Sequence, residues 1–176
     1  ILTWNSKAWQ TIHFGACPFH LPAFQRMLSS QTKHLATPLN MSSVALENVF
    51  QALSSNLRLL HLELLWSPYR NLNVEWCRKL PPTLTTLRLR SFKLSRECKD
   101  LAAALHQTAL RTLHLDHNTF NSLDIQALAG FLERSSITSL TLTNNALDLG
   151  RIQVLSVALP PALRILNLSL NYFGDD

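Results

Sequence analysis

The fold is decided by the stretch Leu110-Arg111-Thr112-Leu113-His114-Leu115-Asp116-His117-Asn118-Thr119-Phe120, whose spacing is L-x-x-L-x-L-x-x-N-x-F. Leu113 and Leu115 alternate with polar neighbours, which predicts a short strand with one buried face. Asn118 follows this strand, where its side chain can hydrogen-bond to free backbone groups at a turn. The stretch therefore predicts a strand that ends in an asparagine turn.

The same spacing returns at nearly constant intervals. Copies with the same asparagine offset begin at Ile137 and Leu163, and the leucine part alone begins at Leu57 and Leu84. The five starts, at 57, 84, 110, 137 and 163, are separated by steps of 27, 26, 27 and 26 residues. Weaker copies start at 9 and 36. Leucine-rich amphipathic helices would not place an asparagine at one fixed offset, so we interpret the pattern as a structural repeat.

Between the strands lie segments with helical periodicity, at Cys98–Leu105, Ser122–Leu132 and Leu149–Leu159. In the second of these, Ile125, Leu128, Ala129 and Leu132 form one apolar stripe, and Asn121 or Ser122 can cap its first turn. We therefore predict a strand and a helix in each of these repeats.

These residues resemble the leucine-rich repeat superfamily and are closest to its intracellular ribonuclease-inhibitor-like type. The leucine and asparagine spacing, the helical segments and the ending Asn171-Tyr172-Phe173-Gly174-Asp175-Asp176 carry the resemblance. It implies an α/β fold in the form of a curved right-handed solenoid. The parallel sheet would lie on the concave side and the short helices on the convex side.

Composition limits the remaining classes of protein. The 176 residues are 47% hydrophobic, which is enough for one domain with a sizeable core. We expect residues 1–176 to be one domain of a longer protein, because no polar cap closes the last repeat. The net charge of +5 permits acidic partners without singling out nucleic acid. Three cysteines without a C-x-x-C pair favour reduced thiols and a cytoplasmic, intracellular location. No apolar run reaches the 18 or so residues that a membrane helix needs.

Side chains between the repeat leucines are expected to face outwards on the concave side, because side chains alternate along a strand. The residue after the first leucine is Arg on alternate strands, which would place these arginines roughly 9–10 Å apart. The planar fork of Arg suits carboxylate or phosphate, so we predict a site for an acidic or phosphorylated protein segment. The alternative is a solvated face that uses Arg for solubility. The candidate partner-binding residues are Arg58, His61, Arg88, Arg90, Arg111, His114, Asp116, Arg164 and Asn167.

The sequence offers little for catalysis or for a cofactor. His114 and Asp116 share a strand face, but His117 should point elsewhere, and no second pair of ligands has matching spacing, so we expect no metal site. Neither a G-x-S-x-G elbow nor a phosphate-binding G-x-x-x-x-G-K-[ST] loop is present. We therefore expect a protein without catalytic residues, cofactor or metal.

We interpret the chain as a non-catalytic scaffold for protein–protein recognition in intracellular signalling. One alternative is a substrate-recruiting arm of a larger enzyme assembly, such as an F-box-type ubiquitin ligase adaptor or a repeat-bearing kinase. Its discriminating feature would be a flanking F-box or kinase segment. A nucleic-acid binder is the weaker alternative, because Glu63 and Asp116 lie among the arginines and the sheet exposes few aromatic residues.

Overall fold

The structure is a computed structural model that describes residues 11–13, 32–37, 47, 49–51, 53, 58–65, 74–92, 94 and 97–174. Within these ranges the strands are β1 (Thr11–His13), β2 (His34–Thr37), β3 (His61–Leu65), β4 (Thr86–Arg90), β5 (Thr112–His114), β6 (Ser139–Thr141) and β7 (Ile165–Asn167). The helices are α1 (Val74–Cys77), α2 (Cys98–Leu105), α3 (Ser122–Leu132) and α4 (Leu149–Ser156).

All seven strands form one sheet in chain order, and every neighbouring pair is parallel. Parallel neighbours need a crossover connection, and α1 to α4 supply it between successive strands from β3 to β7. One row of paired residues crosses the whole sheet, and its members are Ile12, Leu35, Leu62, Leu87, Leu113, Leu140 and Leu166. The predicted α/β class is therefore confirmed.

The core lies between the sheet and the helices. Leu87, Leu113 and Leu140 from the strands are 0% exposed, and they belong to one cluster with helix residues such as Leu101 and Leu128. The strand residues that alternate with these leucines are half-buried or exposed and form the other side of the sheet, which we call the open face. The core thus fixes the backbone from which the open-face side chains project.

The asparagine turns are joined to one another across the repeats. Asn145 is fully buried; its Oδ1 accepts a hydrogen bond from the Asn118 backbone N–H at 2.6 Å, and its Nδ2 donates to the Leu115 carbonyl at 2.8 Å. Asn118 and Asn171 make the corresponding bonds to the turn before them at 2.8 to 2.9 Å. We call this series the asparagine ladder. It confirms that these asparagines have a structural role.

Two of the predicted repeat starts need correction. Leu62 and Leu64 stand opposite Leu87 and Leu89, so the third repeat starts at residue 59 and the predicted start at 57 is wrong. Leu35 stands opposite Leu62, so the second repeat starts at residue 32 rather than at 36. Counted along the row of paired residues, the steps are 23, 27, 25, 26, 27 and 26 residues.

The predicted helices at Cys98–Leu105 and Ser122–Leu132 are present with those bounds. The third of the predicted helices, α4, ends at Ser156, earlier than the predicted Leu159. A tighter turn follows, in which the Ala158 N–H bonds to the Leu155 carbonyl at 3.0 Å. Proline disfavours helix in the residue before it, so the Leu159-Pro160 sequence accounts for the earlier end.

The core is less covered at β7 than at the inner strands. Leu166 is 40% exposed, whereas Leu140, at the same position of the neighbouring strand, is 0% exposed. Leu170 and Tyr172, in the turn after β7, are also exposed. Each strand from β2 to β6 has a neighbour on both sides, and β7 has one.

Candidate functional site

The open face carries two rows of side chains in register across the strands. The first row runs His34, His61, Thr86, Thr112, Ser139 and Ile165. The second row runs Ala36, Glu63, Arg88, His114, Thr141 and Asn167. Charged and imidazole groups are concentrated on β2 to β5, and the rows continue as neutral residues on β6 and β7.

A depression of about 240 Å³ lies on the β2 to β5 part of this face. We call it the histidine hollow, and the open-face side chains that line it are His34, Ala36, His61, Glu63, Thr86, Arg88 and His114. Ala36 has the smallest side chain among the described residues of its row, and Glu63 is its neighbour on β3. A short side chain next to a longer one leaves room for such a depression.

Two imidazoles form one side of the hollow. The rings of His34 and His61 are stacked, with their centroids 4.1 Å apart and their planes within 9°. Partial burial lowers the pKa of His61 below its ordinary value, and the neighbouring His34 lowers it further, because a second positive charge would lie close by. His61 is therefore uncharged at neutral pH.

An ion pair forms the other side. Arg88 Nη1 lies 3.2 Å from Glu63 Oε1, and the two side chains are 41% and 33% exposed, so the pair contributes little to stability. His114 lies beside Arg88 in the same row. Burial lowers the pKa of His114 and Arg88 adds to this effect, while Asp116 and Glu63 oppose it. His114 is therefore also uncharged at neutral pH.

The structure brings some of the predicted residues together and separates others. His61, Arg88 and His114 line the hollow. Arg90 and Asp116 lie beyond it, at the end of the strands, where Arg90 Nη2 is 3.4 Å from His117 Nε2. The Asp116 carboxylate accepts a hydrogen bond from the Thr143 backbone N–H at 3.1 Å. Asp116 therefore also holds the neighbouring turn in place.

The predicted row of arginines on alternate strands is wrong in one member, Arg58, whereas Arg111 and Arg164 keep the predicted alternation with Thr85 and Thr138. Backbone bonds connect Leu60, Thr85, Arg111, Thr138 and Arg164 in one row before the strands, and Arg58 is not a member of it. Arg111 Nη1 donates to the Ser136 carbonyl at 2.9 Å, which draws its guanidinium towards the next repeat.

Arg164 and Asn167 are exposed on or near β7. The Asn167 side chain accepts a hydrogen bond from the Ser169 hydroxyl at 2.7 Å. These residues therefore lie at the opposite end of the described sheet from the stacked histidines.

Sequence reasoning missed His34, Ala36 and Thr86 as members of the site. The wrong start at 36 placed His34 outside the second repeat. A signal was available, because a His-Leu pair occurs at 34–35 and again at 61–62, one repeat apart. Thr86 was missed because the residue before it, Thr85, was taken as the outward position.

Other groups that could carry chemistry lie elsewhere. In the ranges that the structure describes, no three His, Cys, Asp or Glu side chains are placed to hold a metal ion. Cys77 and Cys98 are buried, and burial raises the pKa of each thiol to about 12. These thiols are therefore protonated and poor nucleophiles. Among the helices of the described residues, none has the length and apolar character to span a bilayer.

Comparison with known proteins adds no assignment. No protein-family model matches the chain, and no curated protein matches its sequence.

Proposed function

We propose that the chain is a leucine-rich-repeat solenoid that binds a segment of a partner protein across its open face and performs no chemistry itself. Three features support the repeat assignment: the parallel strands in chain order, the shared row of leucines and the asparagine ladder. In this proposal the sheet is the concave side of a curved, right-handed superhelix and the helices are the convex side.

The observation that supports the proposal is a continuous row of outward-facing side chains on strands whose leucines are buried. Glu63, Arg88, His114, Thr141 and Asn167 stand side by side on five neighbouring strands. The leucines beside them on β3 to β6 are at most 2% exposed, which fixes the backbone beneath the row. Such a surface presents side chains at fixed spacing, so little backbone conformational freedom is lost when a partner binds.

The chemistry of this row favours an acidic or phosphorylated partner. Arg88 has five N–H donors and its bond to Glu63 engages one of them, so donors remain for a carboxylate or phosphate of the partner. Arg90 is exposed one outward position further along the same strand. The same proposal places the protein inside the cell, where the buried thiols of Cys77 and Cys98 would stay reduced.

The test uses peptides selected on the 176-residue chain from a random display library. Each selected peptide is then measured by calorimetry against the wild-type protein and Arg88→Glu. Lys99→Glu is the matched control, because it makes the same charge change at an exposed position on α2, in the helix layer. We expect Arg88→Glu to weaken binding roughly tenfold or more, as for loss of one charge-assisted contact, and Lys99→Glu to leave it unchanged.

Circular dichroism of both variants verifies that the fold is retained. Equal weakening by the two variants would point to a general charge effect. Peptides that bind Arg88→Glu as well as the wild type would place recognition away from the open face. Either outcome would overturn the proposal.

A further inference from the structure

We propose that the histidine hollow is a subsite for one oxyanion group, the carboxylate or phosphate of a partner side chain, and that binding there is accompanied by proton uptake. The inference deepens the proposed function and rests on it, since it names the subsite and the ligand group. Its test requires no partner protein, so the two can fail separately.

The size of the hollow suits one terminal group. Its volume of about 240 Å³ corresponds to roughly eight water molecules at about 30 Å³ each. The hollow is open to solvent on the outer side of the sheet, and the methyl group of Ala36 forms part of its floor. A carboxylate or phosphate at the end of a side chain can enter this space, whereas a folded segment cannot.

The donors around the hollow suit an anion. Arg88 projects into it from β4 with N–H groups beyond the one that bonds to Glu63. His34, His61 and His114 each become a donor at both ring nitrogens when protonated, and Thr86 adds a hydroxyl. Glu63 is the one carboxylate among the described residues that line the hollow, and its ion pair with Arg88 offsets its charge.

The charge of the hollow depends on pH. Arg88 and Glu63 compensate each other, so the hollow carries no net charge while its histidines are neutral. The groups that face His61 are His34 on β2 and, across the hollow, Glu63 and Arg88. The groups that face His114 are Arg88, Glu63 and Asp116. Protonation of the histidines makes the hollow cationic, and a bound anion offsets the repulsion among these positive charges.

The linkage between proton binding and anion binding fixes whether the affinity rises or falls with pH. Burial and neighbouring positive charge lower the pKa of His61 and of His114 in the free protein, and a bound anion raises both pKa values. The anion therefore binds more tightly when the histidines are protonated. An uptake of about one third of a proton, averaged over this range, should strengthen binding roughly fivefold when the pH falls from 7.5 to 5.5.

The experiment follows the imidazole C–H resonances of the 176-residue chain by NMR, in sodium sulfate and in sodium chloride at equal ionic strength. Sulfate is the probe because it keeps its double negative charge over this pH range. Single His→Gln variants assign the resonances. We expect sulfate to raise the pKa of His61 and His114 with a saturable dependence.

Two variants distinguish the hollow from general salt effects. Arg88→Gln removes the permanent cation, and Ala36→Leu fills the floor while retaining every charge. Both should abolish the sulfate-dependent shift, whereas Arg90→Gln, outside the hollow on the same strand, should retain it. If His61 and His114 titrate alike in both salts, or if their shifts survive in Ala36→Leu, the subsite does not exist, and peptide binding at the open face would stand unaffected.

Discussion

At the scale of single residues, the asparagine ladder shows how one side chain can satisfy two neighbouring repeats. The Asn145 side-chain oxygen accepts a hydrogen bond from the Asn118 N–H, and its amide nitrogen donates one to the Leu115 carbonyl. Both backbone groups lie after the end of β5, where the Asn145 side chain supplies their partners. An amide side chain carries its acceptor and its donors on two separate atoms, so it can bond an N–H and a carbonyl that lie apart, which explains why asparagine recurs at this offset.

Asn145→Ala should therefore destabilise the protein strongly. The substitution leaves buried backbone groups without partners, and we expect a loss of about 2–4 kcal/mol in the free energy of unfolding. Urea denaturation followed by circular dichroism measures it. Asn167→Ala is the matched control, because Asn167 is exposed and bonds only within its own turn. Equal losses for the two variants would show that the ladder adds nothing beyond a surface contact.

At the scale of the element, α3 is defined at its start by a reciprocal cap. The Asn121 side chain accepts from the N–H groups of Leu123 and Asp124, and the Asp124 carboxylate accepts from the Asn121 N–H at 2.9 Å. Asn121→Ala removes one half of this cap and should lower the free energy of unfolding by about 1 kcal/mol. Thermal unfolding measures the change against Gln126→Ala, an exposed position of the same helix. A Tm equal to that of the control would contradict the capping role.

The strands show where the sequence could predict structure and where it could not. From residue 84 onwards, the leucines place each strand correctly. At residues 57–65 two patterns fit equally, because both Leu57-x-x-Leu60-x-Leu62 and Leu59-x-x-Leu62-x-Leu64 have the repeat spacing. A shift of two residues keeps every side chain on the same face, so hydrophobic alternation cannot distinguish them.

The two-residue error in the predicted pairing of β3 with β4 changed which side chains face each other in the site. The predicted register kept His61 and Glu63 on the open face but placed His61 opposite Arg88. The structure pairs Glu63 with Arg88 instead, and the ion pair between them was missed. Residues that face outwards could thus be predicted from the sequence, whereas their neighbours on the next strand required the pairing.

At the scale of the whole molecule, the 176-residue chain taken by itself should be less stable at β7 than at the inner described strands. Leu140 and Leu166 occupy the same position in adjacent repeats, yet Leu140 is 0% exposed and Leu166 is 40% exposed. Leu140→Ala should cost about 3 kcal/mol of unfolding free energy, and Leu166→Ala less than about half of that. Urea titrations of the pair measure the difference. Equal costs would mean that the last repeat is as tightly packed as the inner ones.

The asparagine ladder determines how the molecule should respond to a pulling force. Each turn of the asparagine ladder is bonded to the adjacent turn, so a force applied at the two ends passes through the repeats in series. Among the described repeats of the 176-residue chain, the repeat at β7 is less covered than those at β4 to β6 and should yield before them. Each rupture would release one repeat of 26 or 27 residues, as counted between Leu113, Leu140 and Leu166. At about 3.4 Å per residue, the chain would lengthen in steps of about 9 nm.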